Sequence, residues 1–138
     1  MATRSKHMVQ RLFDLFVTAL EGGIGYWSVC KTYHWTKQPG AEKLPVDKAQ
    51  DLYGFYAVVV ETDPSEGDTP KTHRIDAAVL SLGLRRLREG KVTFGNAPWD
   101  AVVQRNLWHQ CHDEDGNYDA GDADIVVQAG LFGDIIFG

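Results

Sequence analysis

The chain has 138 residues, 43% hydrophobic and 24% charged, the size and balance of one domain that can bury a core without disulfides or metals. Its formal charge of −5 argues against a general nucleic-acid coat, which needs Lys and Arg to neutralise phosphates. No apolar run approaches the ~20 residues that cross a bilayer. Two distant cysteines, Cys30 and Cys111, do not make a secreted disulfide scaffold.

The N-terminus carries Arg4, Lys6 and His7 without the apolar segment of a signal peptide behind them. A cytoplasmic protein with reduced thiols is expected. Residues 7–21 read as a helix, with Val9, Leu12, Phe13, Phe16, Ala19 and Leu20 on one face. Gly22 and Gly23 end it. Residues 24–35 are aromatic and β-branched and suit a strand, bent near Gly25. Residues 36–50 hold Pro39, Gly40 and Pro45 and read as a loop.

Residues 52–62, with the run Ala57-Val58-Val59-Val60, give the clearest strand. An acidic loop follows at 63–71. A second helix is expected from Arg74 to Glu89, capped by Thr72, with a stripe of Ile75, Ala78, Val79 and Leu82. Gly83 weakens its middle, and Arg85, Arg86 and Arg88 complement the helix dipole at its end. Residues 91–94 suit a short edge strand. A third helix runs from Pro98 to Gln110, burying Trp99, Val102, Val103 and Leu107. A fourth runs from Asp122, its N-cap, to Phe132, and Gly133 ends it. The expected architecture is α+β: about four helices packed on a small two- or three-stranded sheet, in a single compact domain.

Five constellations bear on chemistry. Gly22, Gly23 and Gly25, followed by Tyr26 and Trp27, offer backbone amides for an anion and rings for stacking. The segment is not a dinucleotide fingerprint, because it follows a helix and lacks a third glycine in register; a helix end feeding core aromatics is the plainer reading. Tyr33, His34 and Trp35 place two aromatics on one strand face and a titratable ring on the other. Cys30, His34, His109, Cys111 and His112 are zinc-type ligands at spacings that match no common zinc motif. Asp113, Asp115, Asn117 and Asp124 fall at positions one, three, five and twelve of a calcium loop. Tyr118 stands where that loop needs glycine, so an acidic connection with Asp119 or Asp122 capping the next helix is favoured. Arg85, Arg86 and Arg88, with Lys91, form the one basic cluster and suit a phosphate or an acidic partner.

The blocks from Ala19 to Trp27 (ALEGGIGYW) and from Asp122 to Gly138 (DADIVVQAGLFGDIIFG) resemble a group of small tailed-phage proteins of actinobacteriophage type. The resemblance brings no activity with it. It implies a phage accessory protein working in the host cytoplasm and inclines the reading towards binding.

The expected function is therefore non-enzymatic binding of a host component or a small anionic, nucleotide-like ligand. The candidate ligand-binding residues are Gly22, Gly23, Gly25, Tyr26, Trp27, Tyr33, His34, Trp35, Arg85, Arg86 and Arg88. No cofactor, metal or catalytic residue is assigned, and neither nucleic acid nor a membrane is an expected partner. One alternative is a metal-dependent hydrolase using His34, His109 or His112 with Asp113, Asp115 or Asp119. Another is a DNA-binding regulator, disfavoured because the two middle helices are too far apart for a helix-turn-helix. The apolar segment from Ile125 to Phe137 shows little polar face, which points to a homo-oligomer, a dimer first, with this tail in the interface.

Overall fold

The computed structural model describes residues 6–37, 52–62, 68–113 and 115–138. The loop expected at 36–50 and the tip of the acidic loop at 63–71 fall mostly outside them. Among the described residues, four α-helices and two three-stranded sheets make an α+β fold. Helix α1 spans Lys6–Thr18 and widens into a single π-helical turn, Ala19–Gly23. Strands β1 (Ser28–Lys37), β2 (Leu52–Glu61) and β3 (Thr72–Asp76) form an antiparallel sheet in the order β1-β2-β3. Helix α2 (Ala77–Arg88) follows directly.

Next come β4 (Thr93–Phe94), β5 (Ala97–Pro98), α3 (Ala101–His112), α4 (Ala120–Phe132) and β6 (Asp134–Ile135). Strand β4 pairs antiparallel with β5 and parallel with β6. This second sheet was not expected; only its first strand had a sequence signal, because two-residue strands are too short for periodicity to register.

Helix α4 is the centre of the molecule. Ala123, Asp124, Val126, Val127, Gln128, Ala129 and Gly130 are all buried, with α2, the π-turn, α1, α3 and β3 packed round them. The chain itself therefore covers most of the apolar segment that pointed to an oligomer. Ile135 is buried and Ile136 stays 53% exposed.

Helix α2 meets α4 backbone to backbone. A Cβ on Gly83 would lie 2.2 Å from the Val126 carbonyl oxygen, and one on Gly130 would lie 2.0 Å from that of Val79. Gly83 does not weaken the helix into two pieces, as the sequence implied; it lets α4 approach.

Three helix starts differ from expectation. Residues 72–76 are a strand, because Ile75 and His73 pair opposite Ala57 and Val59 of β2. Helix α2 thus begins after Asp76, whose carboxylate accepts from Val79 N at 3.0 Å, and Thr72 is not the cap. Its buried stripe is Leu80, Gly83, Leu84 and Leu87. Helix α3 begins after Asp100, which accepts from Val102 N and Val103 N, while Pro98 lies in β5. Val102 and Val103 are exposed, and the inward face carries Gln104 and Cys111. The Gln104 amide accepts from Val92 N and donates to the Val92 and Trp99 carbonyls, all at 2.9 Å, so its burial leaves nothing unpaired. Helix α4 starts one turn early: Asp119 is the N-cap, in a capping box with Asp122. Gly133 ends it with φ 67°, the left-handed conformation that glycine adopts without strain.

Candidate functional site

The two sequence blocks meet at Asp124. Its buried carboxylate accepts from Trp27 Nε1 at 2.9 Å, from the Tyr26 hydroxyl at 2.6 Å and from Gln128 Nε2 at 3.0 and 3.1 Å. The other end of the Gln128 amide accepts from Ile136 N and Phe137 N, both at 2.9 Å. Phe137 then stacks flat on Trp27, with ring centroids 4.6 Å apart. Burial and the hydrogen bond to Asp124 push the Tyr26 hydroxyl up to about 12.

Gly23 is present for the same packing, since a Cβ there would lie 2.7 Å from the Ala120 carbonyl oxygen. Gly25 has open space around it. The glycine–aromatic segment thus lies at the C-terminal end of α1. The field there favours a cation over an anion, and Trp27, 3% exposed, has no face left for a ligand.

The other expected ligand residues go to different places. Tyr33 is exposed on β1, beside α1. His34 lies on the opposite sheet face, its ring 5.5 Å from that of Tyr56. Trp35 stands opposite Phe55 in the β1–β2 ladder. Arg86 Nη1 donates to the Ala129 and Gly130 carbonyls at 2.7 and 3.2 Å, satisfying the end of α4. Arg85 and Arg88 alone among the eleven share a second cleft, of about 210 Å³, lined also by Met8, Ser81, Leu84, Trp108 and His112.

That cleft is built from the last two turns of α2 and the later half of α3. The Arg88 guanidinium carbon lies 6.0 Å from the centre of the Trp108 ring. The His112 ring stacks on Trp108 at 4.6 Å and 26°. His109 and His112 each place Nδ1 against an Asp113 oxygen, at 3.1 and 3.2 Å, and hold that carboxyl below its usual range. Lys91, 3.0 Å from Glu89, does the same to that acid, with Arg85 contributing at 3.8 Å. Trp108 had no part in the sequence reading of the site, and His112 entered it only as a candidate metal ligand. Their spacing of four on one helix face was the available signal, and it needed the correct frame of α3 to be seen.

The zinc-type residues do not converge. Cys30 is exposed on β1 and Cys111 is buried in α3, its thiol pushed up to about 12 chiefly by burial. Among the described residues no group of three or more His, Cys, Asp or Glu is arranged to hold a metal ion. The acidic stretch is not a calcium loop: Asp119 and Asp122 cap α4, and Asp124, its twelfth position, points into the core.

A larger cleft, about 400 Å³, opens between α1 and β1 and is lined by Phe13, Phe16, Val17, Leu20, Glu21, Cys30 and Tyr33. No family model matches the chain, and no curated protein or solved structure is significantly similar to it. No helix among the described residues is long and apolar enough to cross a membrane.

Proposed function

We propose that this is a non-enzymatic binding protein, a phage accessory protein by its resemblance, that takes a small anionic ligand bearing a flat ring in the cleft between α2 and α3. One observation carries the reading: the side chains of Arg85 and Arg88 line the same cleft as the Trp108–His112 stack. Guanidinium groups pair with phosphate or carboxylate in planar, two-point geometry. An indole beside them offers a stacking surface for a base or other ring. The segment around Gly22 supplies the scaffold in this reading, and the basic cluster supplies the site.

Calorimetric titration with inorganic phosphate, nucleoside monophosphates and nucleoside triphosphates tests it. Binding that weakens about tenfold in Arg88→Ala, from loss of one charge-assisted contact, supports the site. Absence of binding across the series, or affinity unchanged in Arg85→Ala/Arg88→Ala, overturns it. A homodimer stays in the proposal on altered ground: Phe94, Val102, Val103 and Ile136 are the exposed apolar side chains around the second sheet and the start of α3. Light scattering that shows only monomer at high micromolar concentration removes it.

A further inference from the structure

The cleft between α1 and β1 differs from the arginine-lined one in place and in charge. Its base is aromatic: Phe13 and Phe16 lie 6.4 Å apart, and both pack on Phe55, at 5.6 and 4.7 Å. The opposite wall is Tyr33 and Cys30. These two residues are three apart and would ordinarily face opposite ways on a strand. A bulge corrects this: Cys30 pairs with Val59 and Thr32 with Val58, so Lys31 is skipped and both side chains turn to α1. The volume, about 400 Å³, suits a small molecule.

Three independent features set the sign of charge the cleft accepts. Glu21 carries a carboxylate and is the one charged residue among the seven described residues that line it. Glu21 also lies in the π-helical turn that closes α1, at the helix end where unpaired carbonyls favour cations. Such turns are rare and concentrate at functional sites. The net charge of −5 adds a general attraction for cations. The Cys30 thiol, exposed at one side and pushed up by partial burial at the other, brings no competing charge at neutral pH.

We propose that this cleft binds a small organic cation, an alkylated ammonium group on an apolar body. The ammonium sits between the Glu21 carboxylate and the Tyr33 ring, since aromatic faces attract such cations within ~6 Å of the ring centre. The apolar body covers Phe13, Val17 and Leu20. An anion meets Glu21 and the helix end and is repelled, so the ligands of the two clefts are not interchangeable.

Heteronuclear NMR titration of the full chain decides the matter with three probes. Choline tests the ammonium group. Dimethylbutanol, in which carbon replaces the nitrogen of choline, tests the same shape without charge. Phenyltrimethylammonium adds an apolar body. The expected result is binding in the order phenyltrimethylammonium, choline, dimethylbutanol, with shifts at Val17, Leu20, Glu21 and Tyr33. The charged probe should exceed its uncharged isostere by about tenfold, the range of a partly desolvated cation–ring and carboxylate contact. Glu21→Gln, an exposed position, should remove most of choline's advantage over dimethylbutanol, the Tyr33 ring keeping the rest, and leave dimethylbutanol unchanged. Tyr33→Leu, also exposed, should weaken both cations. Equal binding of choline and dimethylbutanol, no shifts at this cleft at millimolar probe, or a Glu21→Gln protein indistinguishable from the parent would overturn the proposal. None of these results bears on the arginine-lined cleft.

Discussion

Replacing Asp124 with Ala should cost about 2–4 kcal/mol of stability, although it removes a buried acid and leaves the apolar core intact. Three donors lose their acceptor: Trp27 Nε1, Gln128 Nε2 and the Tyr26 hydroxyl. Tyr26 is 54% exposed and can turn to water. Gln128 Nε2 keeps the Phe137 carbonyl at 3.3 Å, and Trp27 Nε1 is left buried and unpaired. The unpaired group costs ~1–3 kcal/mol, and the charge-assisted bond that Gln128 loses adds ~1.5–3 kcal/mol. Relief from burying a carboxylate offsets part of the sum. For a chain of this size that is a fall in Tm of about 5–15 °C. Asp124→Asn keeps one acceptor oxygen and should lose about half as much. Urea denaturation followed by far-ultraviolet circular dichroism measures both, and the Trp27 indole N–H resonance should move in each. An Asp124→Ala protein within ~0.5 kcal/mol of the parent, the scatter of ordinary surface substitutions, would refute the claim that this carboxylate holds the two ends of the chain together. So would an Asn variant as costly as Ala.

Gly130→Ala raises helix propensity by ~1 kcal/mol but drives a methyl group into the Val79 carbonyl, a backbone atom that cannot step aside; net destabilisation of ~1–3 kcal/mol is expected by thermal melting. The thiol reagent that reports free cysteine should label Cys30 in the native protein and reach the fully buried Cys111 only in denaturant. The neutral Tyr26 hydroxyl is favoured by the fold. Its stabilising effect should be whole below pH 10 and disappear as pH rises towards about 12. Alkaline unfolding should therefore be less steep in Tyr26→Phe across that window.

The architecture was legible where a side-chain pattern spanned several turns. Leu12 and Phe16 marked α1, Ala19 the π-turn that follows it, and Val59 with Ala57 marked β2. Frames failed where a polar or small residue occupies the core. Gln104 and Gly83 face inward, so a search for apolar stripes chose Val102 and Ala78, which are exposed. Residues 74–76 read as helix, with Thr72 as its cap, because the strand's partner, β2, is distant in sequence. At the site, the arginines of α2 stood out by charge, but nothing local said that Arg86 would turn to the end of α4 while Arg88 faced Trp108. The glycine–aromatic segment was conspicuous for a structural reason: it is one half of a contact whose other half, from Asp124 to Phe137, lies about a hundred residues later.

The most direct test of the ligand assignment is the indole region of a nitrogen–proton correlation spectrum, because Trp27 and Trp108 report from different places. During titration with a nucleoside monophosphate the Trp108 indole signal should move together with the Arg85 and Arg88 side-chain signals, while that of Trp27, enclosed by Asp124 and Phe137, stays still. A stationary Trp108 signal at millimolar ligand, or a shift confined to Trp27, would contradict the account.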